Sequence, residues 1–184
     1  MAYTSFESSS DNEGWNYNMT DVADNGSYPY VTGKKHYQSN IPLVTSKSFQ
    51  SGEYILSFVK KEITQGAPYM RLQGSDGFML LDTKTIPLNN EWEYWEFSFE
   101  VNWGSSIITV DKYGADFFID DIRLRPMNSI MKTWHYKPSI GILSETDNNH
   151  KTTFYEYDGF GRLKLIKDQD GNLVKRFQYK YMNQ

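Results

Sequence analysis

Apolar and polar residues alternate along most of this chain, and that alternation predicts strands. Trp95, Phe97, Phe99 and Val101 alternate with Glu96, Ser98 and Glu100, the pattern of a strand with one buried and one wet face. Tyr54, Leu56 and Phe58 share a face opposite Ile55, Ser57 and Val59. Further strands are expected at 3–7, 35–38, 45–49, 69–72, 77–81, 107–110 and 117–124. Turn signals separate them at Asn25-Gly26, Ser51-Gly52, 74–77, Asn89-Asn90 and Tyr113-Gly114. Helical periodicity is nearly absent. Roughly eight to ten short strands at this spacing predict an all-β chain built on an antiparallel β-sandwich or jelly roll.

A boundary is expected near Arg125-Pro126, because proline has no ladder donor and closes a strand. The expected division is a sandwich over 1–126, a connector over 127–138 and a repeat region over 139–184. At an offset of 22 residues, Leu143 aligns with Leu165, Asn149 with Gly171, and Tyr155-Glu156-Tyr157 with Phe177-Gln178-Tyr179. Each unit reads as strand, polar turn and aromatic strand, the mark of a stacked or wound β array.

Composition narrows the function classes. Aromatics make up 16% of the 184 residues, which favours pleated surfaces. Net charge is −4, divided as −7 through Pro126 and +3 beyond it. An acidic body argues against nucleic acid as a partner, since phosphate binding needs a basic face. There is no cysteine, so disulfides and thiolate metal sites are excluded. No apolar run reaches the ~18 residues of a membrane helix, and no signal-like segment opens the chain. The three histidines (His36, His135, His150) lack metal-binding spacing, and no nucleophile elbow or phosphate loop occurs. A non-catalytic chain is the expectation.

Two stretches resemble known families. Tyr155-Glu156-Tyr157-Asp158-Gly159-Phe160-Gly161-Arg162-Leu163, completed by Asp168-Gln169-Asp170-Gly171-Asn172, is similar to the tyrosine–aspartate (YD) repeats of Rhs-type proteins. The first 126 residues resemble, more loosely, the galactose-binding-like jelly roll of carbohydrate-binding modules. That likeness rests on Ser5-Phe6-Glu7, Gly14-Trp15, Thr32-Gly33-Lys34-Lys35, the Gly52–Phe58 strand and Phe118-Ile119-Asp120-Asp121-Ile122-Arg123-Leu124. Such a pairing resembles long surface proteins of the Bacteroidetes type, which implies a secreted or cell-surface setting within a larger YD-repeat parent chain.

The resemblance implies a structural Ca²⁺ held by Glu7, Asp120 and carbonyls around Gly33–Lys35. Hard oxygen donors from separate loops suit calcium. Sugar recognition stacks an aromatic ring on the pyranose beside polar readers. Trp15, Tyr30 and Trp103, in loop-like stretches, are the aromatics that could do so, whereas Trp95 shares parity with core residues. The expected function is binding of a glycan or surface polysaccharide. The rival is a spacer or cap for a YD shell, with no ligand of its own. Two YD units cannot bury a core alone. They are expected to dock on the sandwich through Trp134 and Tyr136 or to pair between two copies as a homodimer.

Overall fold

The alternation becomes strands throughout the computed structural model, which describes residues 1–6, 14–24, 35–38, 42–62, 69–75, 77–88, 91–113 and 117–180. The chain is all-β and antiparallel, and it divides into two units, Met1–Ser129 and Ile130–Gln184. In the first unit the strands are β1 (Ala2–Thr4), β2 (Trp15–Asn16), β3 (Val22–Asp24), β4 (Lys35–Tyr37), β5 (Leu43–Thr45) and β6 (Phe49–Glu62). They continue as β7 (Tyr69–Gly74), β8 (Phe78–Pro87), β9 (Trp92–Ser106), β10 (Ile108–Tyr113) and β11 (Phe117–Pro126).

The larger sheet runs β3-β4-β11-β6-β9-β8, with β1 also on β11, and the smaller runs β2-β5-β10-β7. Leu56 and Phe58 of β6, Phe97, Phe99 and Val101 of β9, and Ile119, Ile122 and Leu124 of β11 form one wall of the core. Trp15, Leu43, Leu72, Ile108 and Val110 form the other. This is a β-sandwich, held by two apolar inner faces. Tyr54 stacks on Phe99 and Phe58 meets Phe97 at a tilt, so the predicted parity of both strands is the parity of the core.

Ser51-Gly52 is no turn. β6 runs straight through it, and its register against β9 shifts between Gln50 and Gly52. A glycine there admits the φ of +150° that a bulge needs while the strand carries on.

The second unit is a meander of β12 (Thr133–Lys137), β13 (Gly141–Thr146), β14 (Thr152–Tyr157), β15 (Leu163–Lys167) and β16 (Leu173–Arg176), each paired with the next. The stretch expected to be a bare connector therefore holds β12. Trp134 and Tyr136 of β12 are exposed.

Aspartates hold the turns. Asp147 accepts the amides of Asn149 and Lys151, Asp158 those of Phe160 and Arg162, and Asp168 those of Asp170 and Asn172. Each is an Asx turn closed by a residue at positive φ: His150, Gly161 and Gly171. The turns thus repeat at 21 residues, Asp147 to Asp168 and His150 to Gly171. The Thr146–Thr152 pair recurs as Lys167–Leu173 at 21 too, and the 22-residue offset holds for the aromatic segment from Tyr157 to Tyr179, the extra residue being Val174 in a bulge opposite Ile166 and Lys167. Tyrosines lock the ladders across strands: Tyr157 donates to the Ile142 carbonyl and Tyr179 to that of Leu163, both at 2.8 Å.

The hydrogen bond from Arg162 holds Asp158 below its ordinary 3.8, and that from Asn172 does the same for Asp168. Because the folded values are lowered, the turns' contribution is present above pH 3.8 and is lost as pH falls through the lowered values. NMR protection of the Phe160, Arg162, Asp170 and Asn172 amides should hold at neutral pH and fall in acid below that point. Protection unchanged down to full carboxyl protonation would refute this account of the turns.

Candidate functional site

A strand cannot present to solvent a side chain that its own alternation sends inward, unless the register breaks. Along β9 the inward series is Phe97, Phe99, Val101, and the next member would be Trp103. Val101 pairs with Gly52 and Ser105 with Gln50, so 102–104 of β9 stand opposite the single residue Ser51. Gly104 takes φ +68° within that excursion. Bulges re-aim side chains in this way. Trp103 is thrown out of the core and stands 68% exposed.

The platform is fixed from beneath. The Asn102 amide donates to the Gly77 carbonyl at 2.8 Å. Gly77 has φ +58°, and a Cβ on it would lie 2.4 Å from the Trp103 carbonyl oxygen. Only glycine lets the β7–β8 turn pass this close to the backbone of Trp103.

The other strand of the bulge borders a cleft. Its volume is about 700 Å³, and Met1, Ala2, Gly14, 46–50 and Tyr54 line it. Phe49 meets Tyr54 edge-on at 5.5 Å, and the Tyr54 hydroxyl donates to the Gln50 carbonyl at 2.9 Å. Ser46, Lys47, Ser48 and Gln50 supply hydroxyl, ammonium and amide groups. Lys47 is the one charged side chain among the described lining residues. An exposed indole can stack on a sugar face, and a cleft lined by hydroxyl, ammonium, amide and aromatic groups can read hydroxyls. The sequence reading missed Lys47, Gln50 and Tyr54, although the polar run 45–48 between strands was the available signal.

Trp15 is corrected. It is 1% exposed, paired through Thr45 and packed in the sandwich core, so its ring offers no face to a ligand. Its indole nitrogen finds no hydrogen-bond acceptor among the described residues. Tyr30 lies outside the described residues. The dense aromatic run of β9 is structural: Trp92 is buried, and Trp95 stacks over Phe58 and donates to Glu93 at 2.9 Å. Lys60 lies over the Trp95 ring, 3.2 and 3.3 Å from Glu62 and Glu93. Burial first, and then the hydrogen bond to the Glu96 carboxylate, push the Tyr94 phenol well above its ordinary 10.

Asp120, assigned to calcium by resemblance, is fully buried with His36. Its Oδ2 lies 3.2 Å from His36 Nδ1, and its Oδ1 accepts the Asp121 amide at 2.7 Å. Trp92 and Phe118 flank the imidazole. A bulge between Asp120 and Arg123, with Asp121 at φ +49°, sets this geometry. Calcium takes six to eight oxygens. Among the described residues no three His, Asp or Glu side chains are grouped to hold a metal, and Lys35 contributes only its place at the start of β4. Glu7, Gly33 and Lys34 lie outside the described residues.

Compared with known proteins, the chain matches no family model and no curated sequence.

The His36–Asp120 contact instead reads as a buried hydrogen bond tying β4 to β11. Truncating either partner removes this buried contact between the two strands, at a cost of about 1–3 kcal/mol. His36→Ala and Asp120→Ala should each lower stability by that order, and the double variant by less than the sum. Strict additivity in denaturant melts would show that the two do not act together.

Proposed function

We propose that this chain is a non-catalytic recognition module that binds a glycan or surface polysaccharide through Trp103 and the neighbouring cleft. The observation that carries the reading is the bulge that turns an inward-bound tryptophan outward onto a backbone pinned by Gly77. An exposed indole held rigidly gains little in the monomer, whereas it lowers the entropy a ligand must overcome. The open cleft with one charged lining residue suits a neutral or weakly charged polymer. In this reading the repeats of the second unit are YD repeats of a longer protein. Their tyrosine locks and aspartate turns support that assignment, and the setting is the cell exterior or surface. No helix of the described residues is long and apolar enough to cross a membrane.

Affinity electrophoresis or calorimetry against plant, host and bacterial polysaccharides tests it. Trp103→Ala should abolish binding while leaving the melt within about 0.5 kcal/mol of the parent, as for other surface substitutions. Trp15→Ala should instead destabilise the sandwich by about 3–5 kcal/mol. If the folded chain binds none of these polymers, the recognition role fails, and a spacer or cap for a YD shell takes its place.

A further inference from the structure

Strand β8 is the outer edge of the larger sheet, paired only with β9 among the described residues. All of 79–87 is exposed. Met79, Leu80, Leu81 and Ile86 are each more than a third accessible, an unusual apolar content for an open edge. Two charges interrupt it, Asp82 and Lys84, one on each side of Thr83. Both lie on the same face of the sheet, since they pair with Ser98 and Glu96 of β9, whereas Thr83 pairs with Phe97.

The edge also carries a marker of an outward donor. The Thr83 amide donates to the carboxylate of its own neighbour, Asp82, at 2.8 Å. The Asn102 amide bonds to Gly77 on the β8 side of β9, so Phe97, five residues earlier, turns its amide toward β6, and Thr83 opposite it faces away from the ladder. In an antiparallel ladder, a residue whose amide and carbonyl both point away from one neighbour can exchange two hydrogen bonds with a residue on the other side.

We propose that β8 pairs antiparallel with β8 of a second copy about a two-fold axis at Thr83, joining two sandwiches into one continuous sheet. In that register the Thr83 residues exchange backbone hydrogen bonds. Asp82 then stands opposite Lys84 of the second copy, and Lys84 opposite its Asp82. Thr85 and Ile86 of each copy run beside Leu81 and Leu80 of the other. A strand carrying Asp-Thr-Lys is complementary to itself only when inverted, so charge and symmetry select the same register. Asp82 releases the amide it caps in the monomer and gains an ammonium partner.

Sedimentation equilibrium on the full chain tests the pairing by charge exchange. The parent should show a concentration-dependent rise to twice its monomer mass. Asp82→Lys and Lys84→Asp should each weaken association by about tenfold or more, because each sets like charges opposite each other. The double variant Asp82→Lys/Lys84→Asp restores complementarity and should dimerise like the parent. Both positions are exposed, so all three variants should melt cooperatively at high dilution, with Lys84→Asp somewhat less stable because it sets a carboxylate opposite Glu96. A parent that stays at monomer mass overturns the proposal, as does a dimer indifferent to these changes, such as one formed through the repeat strands. Polysaccharide binding through Trp103 does not involve β8, so this result and the binding result can fail independently.

Discussion

The ladder between β6 and β9 is the constraint on which the sandwich depends. These are long strands, 14 and 15 residues, and they pair over nearly their whole length. Their inward side chains supply Leu56, Phe58, Phe97, Phe99 and Val101 to the core, so a slip of one residue would exchange this whole set for Ser57, Glu96, Ser98 and Glu100. That penalty fixes the register over the middle of the ladder. With the middle fixed, irregularity can collect only toward an end, and there it lifts Trp103 to the surface and leaves Gln50 on the rim of the cleft. The outer side of β9 then carries β8, whose free edge is the remaining consequence of where the ladder stops.

Much of this architecture was legible because alternation of period two reports directly on which face is wet. The core parity of β6 and β9, the closing strand ending at Pro126 and the absence of any α-helix among the described residues all follow from it. Features that depend on a break in the alternation were not legible in the same way. Ser51-Gly52 carries the composition of a turn, yet the apolar residues on both sides keep the strand going and the glycine serves a bulge. Trp15 follows a glycine in a loop-like stretch, but its two-residue strand pairs with β5 and buries it. Asp120 has the sequence surroundings of a metal-ligating carboxylate, and its partner His36 lies 84 residues away, a distance no local pattern spans.

The repeats show how local chemistry can be periodic while the sequence offset is not. Three aspartates build three turns by one set of hydrogen bonds, and the first and third of them recur at 21 residues. The aromatic strands recur at 22, with a bulge absorbing the extra residue. An alignment at a single offset finds the strands and misplaces one turn, pairing Asn149 rather than His150 with Gly171. The same 21-residue spacing sets Trp134-His135-Tyr136 against Tyr155-Glu156-Tyr157, which is why a strand lies where proline and serine suggested a connector.

The account's central claim is that a register break in β9 makes Trp103 a ligand platform while Trp15, Trp92 and Trp95 serve the sandwich. The five tryptophan side chains give five indole resonances, a direct reporter of that division. A ¹H–¹⁵N titration with oligosaccharides from a polymer the chain retains is the measurement that tests it most directly. The account predicts that the Trp103 indole shifts in a saturable manner, accompanied by the Gln50 side-chain amide, while the Trp15 and Trp92 indoles stay in place. Saturable shifts centred on any other face of the molecule, with Trp103 unmoved, would contradict it.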